Sequence, residues 1–155
     1  MLYNIRHIAL PLFLLFVVLP FLDGCASSPA RKGEKRIERR MLVTAYDPGQ
    51  KSTGWKHKWG CCLLPPVYAY GPNEGKRKAV GVTSDGTKAK KGVIAADINR
   101  YPYGTKMYVP GYGWGEVRDI GSAIKGDHID LFFPTEKEAK QWGRKYLNVI
   151  ILLKQ

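Results

Sequence analysis

Three aspartates in the second half of the chain adjoin short apolar segments. Asp97 and Asp119 each follow such a segment, and Asp130 lies inside a third. Burial at the edge of an apolar strand raises the pKa of a carboxyl, and a neighbouring carboxylate raises it further, which leaves a proton available near neutral pH. The glycine-rich loop between Asp119 and Asp130 could return the chain so that both carboxyls face one cleft. The sequence therefore predicts an acid–base site, with turn capping as the alternative role for each aspartate.

Seven short apolar or alternating segments are the candidate strands that would position these carboxyls. They cover residues 41–46, 79–82, 93–96, 106–109, 115–118, 128–132 and 146–153. Glycine, proline, asparagine or aspartate separates most of them, which is typical of a sandwich or small barrel rather than an alternating α/β sheet. One short helix is predicted after Thr135, because Thr135 and Glu138 have the spacing of a capping box and Gly143 provides a stop.

A long segment, residues 47–78, separates the first candidate strand from the others. It is rich in glycine, proline, lysine and aromatic residues and shows little periodicity. Unpatterned segments of this length in a compact domain are usually functional or disordered, and the aromatic residues argue against disorder. The sequence therefore predicts a long structured loop.

The composition is that of a small, basic, globular protein. The chain has 155 residues, 45% hydrophobic and 25% charged, which suits one compact domain with appendages. The formal net charge of +12 fits a partner with negative charge, such as nucleic acid, anionic lipid or an anionic wall polymer. Three cysteines do not form an even disulfide framework, and no Cys/His spacing suggests zinc. We therefore predict no metal and no cofactor, and exclude a zinc finger and a disulfide mini-protein.

The first 25 residues have the pattern of a secretory signal. An uncharged apolar run covers residues 8–22, and residues 22–25, Leu-Asp-Gly-Cys, resemble a bacterial lipobox. Cleavage of such a signal leaves Cys25 first, carrying the lipid chains that anchor the protein to a membrane. Asp23 departs from the pattern, because small residues are usual at that position. The alternatives are an uncleaved signal anchor or cleavage elsewhere, and in each case the remainder is exported.

A basic linker, residues 26–40, is predicted between the signal and the domain. It contains six basic and two acidic residues, for a net charge of +4. Beside a lipid anchor it could lie on anionic headgroups, and a solvated spacer is the alternative. No aspartate follows Cys25, which in a Gram-negative cell would direct a lipoprotein to the periplasmic face of the outer membrane. Residues 41–155 then form the single domain.

A set of short motifs across residues 41–153 resembles the three-aspartate, or 3D, domain, a family named for those aspartates. The motifs lie at residues 44–46, 81–87, 92–97, 103–105, 111–113, 119–126 and 128–130. They separate the three aspartates by intervals of 22 and 11 residues. The family is similar to the catalytic barrel of membrane-bound lytic transglycosylase A. The resemblance implies a mainly β fold, a six-stranded double-psi β-barrel, with which the candidate strands and the short helix are compatible.

The resemblance also implies lytic cleavage of peptidoglycan at the β-1,4 bond between N-acetylmuramic acid (MurNAc) and N-acetylglucosamine (GlcNAc). One carboxylic acid protonates the glycosidic oxygen and then, as a carboxylate, takes a proton from the muramyl C6 hydroxyl, which closes a 1,6-anhydro ring. Carried over by motif, Asp130 matches this acid and base. Asp119 matches a neighbour that holds that carboxyl and binds sugar, and Asp97 matches a supporting position at the barrel mouth.

Further residues align with family positions near the cleft, where they would support the site or bind substrate. They are Thr44, Tyr46 and Thr83. Tyr46 has core packing as its alternative. Lys125 could bind a lactyl or peptide carboxylate, or be solvated. Ile120 and Ser122 depart from the family pattern, which commonly has threonine and glycine there.

Aromatic side chains offer candidate surfaces for stacking on sugar rings. They are Trp55, Trp59, Tyr112 and Trp114. Core packing is the competing interpretation, and it is favoured for Trp142 on the predicted helix.

Three functions compete. The leading one is an exported lytic transglycosylase, tethered to a membrane by its lipid anchor, whose partners are peptidoglycan glycan strands. The second is a noncatalytic wall-binding barrel, since one fold can hold glycan with or without cutting it. The third is a nucleic-acid binder suggested by the charge, but export argues against it, and we expect no nucleic-acid partner.

Overall fold

The computed structural model describes residues 33–60 and 62–154. The predicted signal segment, the lipidation site Cys25 and the first part of the predicted linker therefore lie outside the described residues. In the described part of the chain, no helix is long and apolar enough to cross a membrane.

Eight strands and two short helices follow one another along the chain. They are β1 (Glu34–Tyr46), α1 (Gln50–Thr53), β2 (Trp55–His57), β3 (Pro66–Tyr68), β4 (Val93–Ala95), β5 (Lys106–Val109), β6 (Gly113–Asp119), β7 (His128–Phe132), α2 (Glu136–Trp142) and β8 (Lys145–Lys154). A 3₁₀ turn, Lys58–Gly60, follows β2.

Six of these strands close into a barrel in the order β1-β7-β4-β6-β5-β8. Two pairs, β1 with β7 and β4 with β6, are parallel, and the other pairs are antiparallel. Closure pairs each of the six strands with a neighbour on both sides over part of its length, so the barrel lacks the two edge strands of an open sheet. The prediction of a mainly β, six-stranded double-psi barrel with a short helix is confirmed.

Period-two alternation decides which side chains fill the barrel and which face outward. Met41 and Val43 of β1 are fully buried in the core, as are Ile129 and Leu131 of β7. Successive side chains of a strand point to opposite faces, so Thr44 and Asp130 lie on the face away from this core. The parallel register sets these two residues directly opposite each other.

The barrel begins earlier than predicted, because β1 starts at Glu34 and not near residue 41. Residues 34–43 pair antiparallel with residues 145–154 of β8. Ile37 packs against the core, whereas the basic side chains of this half of β1 are exposed. Residues 34–40 are thus a strand, and the prediction of a linker to residue 40 is wrong for them, because backbone pairing tolerates polar side chains on an exposed ladder.

Two further local predictions need correction. The long segment 47–78 holds α1 and a small two-stranded sheet of β2 and β3, which are too short to show periodicity in the sequence. The predicted strand at residues 79–82 is absent, since Val82 makes only an isolated bridge to Lys88. The other six predicted strands are present.

The predicted helix is α2. The hydroxyl of Thr135 accepts a hydrogen bond from the Glu138 amide, at 3.3 Å, as the capping box requires. Trp142 at its end packs against Tyr112 and Phe133, so the core interpretation of this tryptophan is correct.

Candidate functional site

A cleft of about 870 Å³ opens between the barrel and the segments that connect β1 to β4. Six predicted site residues line it: Tyr46, Thr83, Asp97, Asp119, Lys125 and Asp130. The seventh, Thr44, lies beside it and contacts Asp130. The structure therefore brings together residues that the sequence distributes over almost 90 positions.

Asp130 is a half-buried carboxyl in the wall of this cleft. The Thr44 hydroxyl donates a 2.8 Å hydrogen bond to its Oδ1. Burial raises the pKa of Asp130 to about 6; the bond from Thr44 acts in the opposite direction, and the charge of Asp119 adds to the rise. Burial prevails because a carboxylate out of water loses more solvation than one neutral donor restores. Asp130 can therefore hold or release a proton near neutral pH.

His128 belongs to the same hydrogen-bonded group, although the sequence analysis did not assign it to the site. Its Nε2 lies 2.9 Å from the Thr44 hydroxyl oxygen. Because the Thr44 hydroxyl donates its only proton to Asp130, it can only accept a hydrogen bond from His128, which requires the imidazole to carry a proton on Nε2. Burial lowers the pKa of His128, while a hydrogen bond to the Ala123 backbone raises it and Arg144 lowers it. The sequence signal for this role was its spacing: His128 precedes Asp130 by two residues on the same strand, so the two side chains share one face.

Asp119, at the end of β6, is held by three donors. The Tyr46 hydroxyl donates to Oδ2 at 2.8 Å, while the amides of Ser84 and Ile120 donate to Oδ1 at 3.0 and 2.9 Å. Burial, reinforced by Asp119, raises the pKa of Tyr46, so the phenol stays protonated and remains a donor. Tyr46 is therefore both a core aromatic and a site residue.

Asp97 supports the mouth of the cleft. Its carboxylate accepts hydrogen bonds from the backbone amides of Gly126, at 3.0 Å, and Asn99, at 3.2 Å. The bond from Gly126 is the main reason why the pKa of Asp97 is lowered. Asp97 thus ties the end of β4 to the loop between β6 and β7, an anchoring contact of the turn-capping kind.

Thr83 acts on the site through a loop. It is buried, and its hydroxyl lies 2.6 Å from Asp85 Oδ1 and 2.8 Å from the Thr87 carbonyl oxygen. The bond from Thr83 is the largest of several, including one from Arg118, that lower the pKa of Asp85 to about 2. This network shapes the turn that presents the Ser84 amide to Asp119.

The aromatic residues at the cleft are not those predicted to stack on sugars. Tyr68 and Tyr70 line it, whereas Trp55, Trp59, Tyr112 and Trp114 do not. Tyr112 packs in the barrel, and its hydroxyl contacts the Gly92 amide and the Phe132 carbonyl. Trp114 lines a separate hollow of about 430 Å³. Tyr68 ends β3 and Tyr70 follows it, so these two tyrosines are placed by the β2–β3 sheet, whose pairing was not visible in the sequence.

The arrangement can donate and accept one proton at Asp130 while Asp119 and Tyr46 stay beside it as fixed polar groups. In residues 33–60 and 62–154, no group of three or more His, Cys, Asp or Glu side chains could hold a metal ion. Cys62 is a free, exposed thiol.

Comparison with known families finds the predicted domain. Residues 92–153 match the family model described as the 3D domain, and this range contains all three aspartates. The resemblance drawn from the short motifs is therefore confirmed for this part of the chain.

One curated relative is the cell wall-binding protein YocH of Bacillus subtilis, 43% identical over 94 residues. The match covers 58% of this chain and 32% of YocH, so the chain spans about a third of the length of that relative.

Solved structures of MltA from E. coli show a partial likeness. The crystal structure of MltA has a TM-score of 0.41 at 21% identity, over 51% of this chain and 29% of that one. The complex of E. coli MltA with chitohexaose has a TM-score of 0.42 at 20% identity, over 51% and 29% of the two chains.

Proposed function

We propose that this protein is a lytic transglycosylase that cleaves the MurNAc–GlcNAc β-1,4 bond of peptidoglycan and leaves 1,6-anhydro-MurNAc ends. The observation that carries the proposal is the Asp130 carboxyl in the wall of a cleft of about 870 Å³, with its pKa raised to about 6 by burial. A general acid works best when its pKa lies near the operating pH.

The lytic reaction suits a single carboxyl of this kind. Protonated Asp130 donates its proton to the glycosidic oxygen as the C–O bond breaks, and the GlcNAc leaves as an alcohol. The Asp130 carboxylate then takes the proton of the muramyl C6 hydroxyl, whose oxygen bonds to C1 and closes the anhydro ring. The proton returns to Asp130, so no water is consumed and no second catalytic carboxyl is needed, unlike in a hydrolytic glycosidase.

The neighbouring groups have separate roles in this proposal. Thr44 keeps the Asp130 carboxyl oriented through its 2.8 Å hydrogen bond. Asp119, held by Tyr46 and two amides, supplies an acceptor for sugar hydroxyls and negative charge that favours the developing oxocarbenium ion. Asp97 and Thr83 position loops, and Lys125 lies exposed on the cleft wall, where it can meet an acidic substituent.

A noncatalytic wall-binding protein is the second candidate. The observation that favours it is the similarity to YocH, which is named a cell wall-binding protein. A cleft of about 870 Å³ lined by tyrosines and polar groups would serve binding equally well.

We further propose that the protein acts in the cell envelope as a lipoprotein. Cys25 would carry the anchor, and residues 26–33 would link it to β1. In a cell with an outer membrane, the barrel would face the periplasm from that membrane.

Digestion of purified sacculi tests the proposal. A chain of residues 26–155 should release 1,6-anhydromuropeptides, detected by mass spectrometry. Asp130→Asn should lower the rate by about 100-fold to 10,000-fold, the usual contribution of a general acid. Asp119→Asn should have a smaller effect.

Asp127→Asn is the matched control, because Asp127 bonds Tyr101 and Arg100 and is not among the cleft residues. Anhydro products formed by Asp130→Asn at the wild-type rate would refute the catalytic assignment. Binding to sacculi without any anhydro product would establish the wall-binding alternative instead.

A further inference from the structure

Lys78 lies on the wall of the cleft that the connecting segment supplies. Its backbone amide donates a 2.9 Å hydrogen bond to the Pro66 carbonyl, and the Tyr68 amide donates to the Lys76 carbonyl at 3.0 Å. These bonds fix the chain around Lys78 against β3. The position of Lys78 in the cleft is therefore set by the backbone.

The Lys78 side chain rests on an aromatic ring of the same wall. Its Nζ lies 4.3 Å from the centre of the Tyr68 ring, a distance at which the ring attracts a cation. Burial lowers the pKa of Lys78, and the charge of Asp119 across the cleft acts in the opposite direction. The ammonium is thus held in a partly desolvated place on the wall of the cleft that also contains Asp119 and Asp130.

The charge of Lys78 has no ionic partner in the described chain. Among residues 33–60 and 62–154, carboxylates lie within 4.0 Å of Arg39, Lys56, Arg100, Arg118 and Lys140 but not of Lys78. A cation kept partly out of water and without a counter-ion favours a ligand that brings an anion.

Chitin-type glycans and peptidoglycan strands differ in whether they carry negative charge. Chitin-type chains of GlcNAc are neutral, whereas each MurNAc bears a lactyl carboxyl that is free or extended by a peptide with its own carboxylates. We propose that Lys78 is a specificity-determining residue that selects carboxylate-bearing glycan over neutral glycan. The inference rests on the proposed function only in that the cleft takes a glycan, since it concerns binding and not bond cleavage.

Binding measurements in the Asp130→Asn background test this without turnover. The probes are glycan strands with intact peptides, strands stripped of peptide so that the lactyl carboxylate is free, and chitohexaose. Lys78→Met should weaken binding of at least one carboxylate-bearing probe about 10-fold, the size of one charge-assisted hydrogen bond, and leave chitohexaose binding unchanged. The probe that responds identifies the carboxylate as lactyl or peptide.

Two matched variants guard against a merely structural effect. Lys76→Met removes an exposed lysine two residues away that bonds Asn73 and does not line the cleft, and it should leave all three affinities unchanged. Lys78→Arg should restore the preference, and added salt should reduce it, because screening weakens exposed charge contacts.

The inference is overturned if Lys78→Met weakens all probes equally, if it weakens none, or if the parent protein binds carboxylate-bearing and neutral glycans alike or not at all. Failure of the proposed function has a different signature, namely a sacculus digest without anhydro products while the preference for carboxylate-bearing strands persists.

Discussion

At the scale of single residues, the site is a competition between burial and hydrogen bonding at one carboxyl. Burial raises the pKa of Asp130, and the hydroxyl of Thr44 lowers it. The net value of about 6 shows that burial prevails. Because the protonated form begins each turnover, the pKa of Asp130 should appear directly in the pH dependence of activity.

Activity should fall as the pH rises through about 6, since the fraction of protonated Asp130 falls there. Thr44→Val removes the hydrogen bond that favours the carboxylate, so the pKa of Asp130 should rise and the falling limb of kcat/KM should move to higher pH. Sacculus solubilisation between pH 4 and 9 measures both. Thr105→Val is the control, because the Thr105 hydroxyl bonds Pro102 outside the cleft. A limb that stays in place in Thr44→Val would contradict this role of Thr44.

The same carboxyl should reduce the stability of the fold. A pKa of about 6 in the folded protein lies above the ordinary value of 3.8, so ionisation favours the unfolded chain. The resulting loss of folding stability is absent below pH 3.8, grows between pH 3.8 and about 6, and reaches its full size above about pH 6. Asp130→Asn should therefore raise the free energy of unfolding at pH 7.5 by about 1–3 kcal/mol and change it little at pH 3.5. Equal effects at both values, in urea denaturation, would show that the carboxyl carries no such penalty.

At the scale of elements, the paired ends of β1 and β8 decide where the domain begins. Residues 34–40 pair with residues 148–154, and Ile37 adds an apolar contact to the core. A barrel cut before Met41 would leave half of β8 with an open edge, which invites pairing with another chain.

Truncation separates this boundary from the one suggested by composition. A chain of residues 33–155 should unfold cooperatively. In a chain of residues 41–155, the free energy of unfolding should be lower by several kcal/mol, because backbone hydrogen bonds of about 1 kcal/mol each and the burial of Ile37 are lost. Thermal unfolding of both chains and of residues 26–155 measures the difference. The boundary at residue 41 would be correct if all three chains melted at the same temperature.

At the scale of the whole molecule, the proposal needs export and anchoring in addition to the barrel. The described residues are a compact barrel with one large cleft, and the anchor is predicted from the sequence before it. Only residues 26–33 separate Cys25 from β1, so a lipid on Cys25 would keep the cleft near the membrane surface, within reach of the adjacent wall.

Cys25→Ala tests the anchor. Cells given labelled fatty acid should incorporate it into the full chain, and the label should be lost in Cys25→Ala because the thiol is the predicted attachment point. Cys62→Ala is the matched control for a free, exposed thiol in the barrel domain and should keep the label. Labelling that persists in Cys25→Ala would exclude this anchor.

Short-range patterns in the sequence determined much of this protein. Alternation and punctuation by glycine and proline located six strands, and the Thr135 capping box located α2. These features depend on residues a few positions apart, so composition and spacing reveal them. The site residues came from the resemblance of the short motifs to the 3D family, and six of the seven line one cleft.

Only the tertiary structure decided which distant segments meet. The parallel pairing of β1 with β7 puts Thr44 within hydrogen-bond distance of both His128 and Asp130, the β8 ladder recruits basic residues 34–40 into a strand, and β3 carries Lys78 to the cleft. Each outcome depends on backbone hydrogen bonds between segments far apart in the chain. Such bonds involve the same N–H and C=O groups in every residue except proline, which lacks the N–H, so no local pattern of side chains specifies which partners they choose.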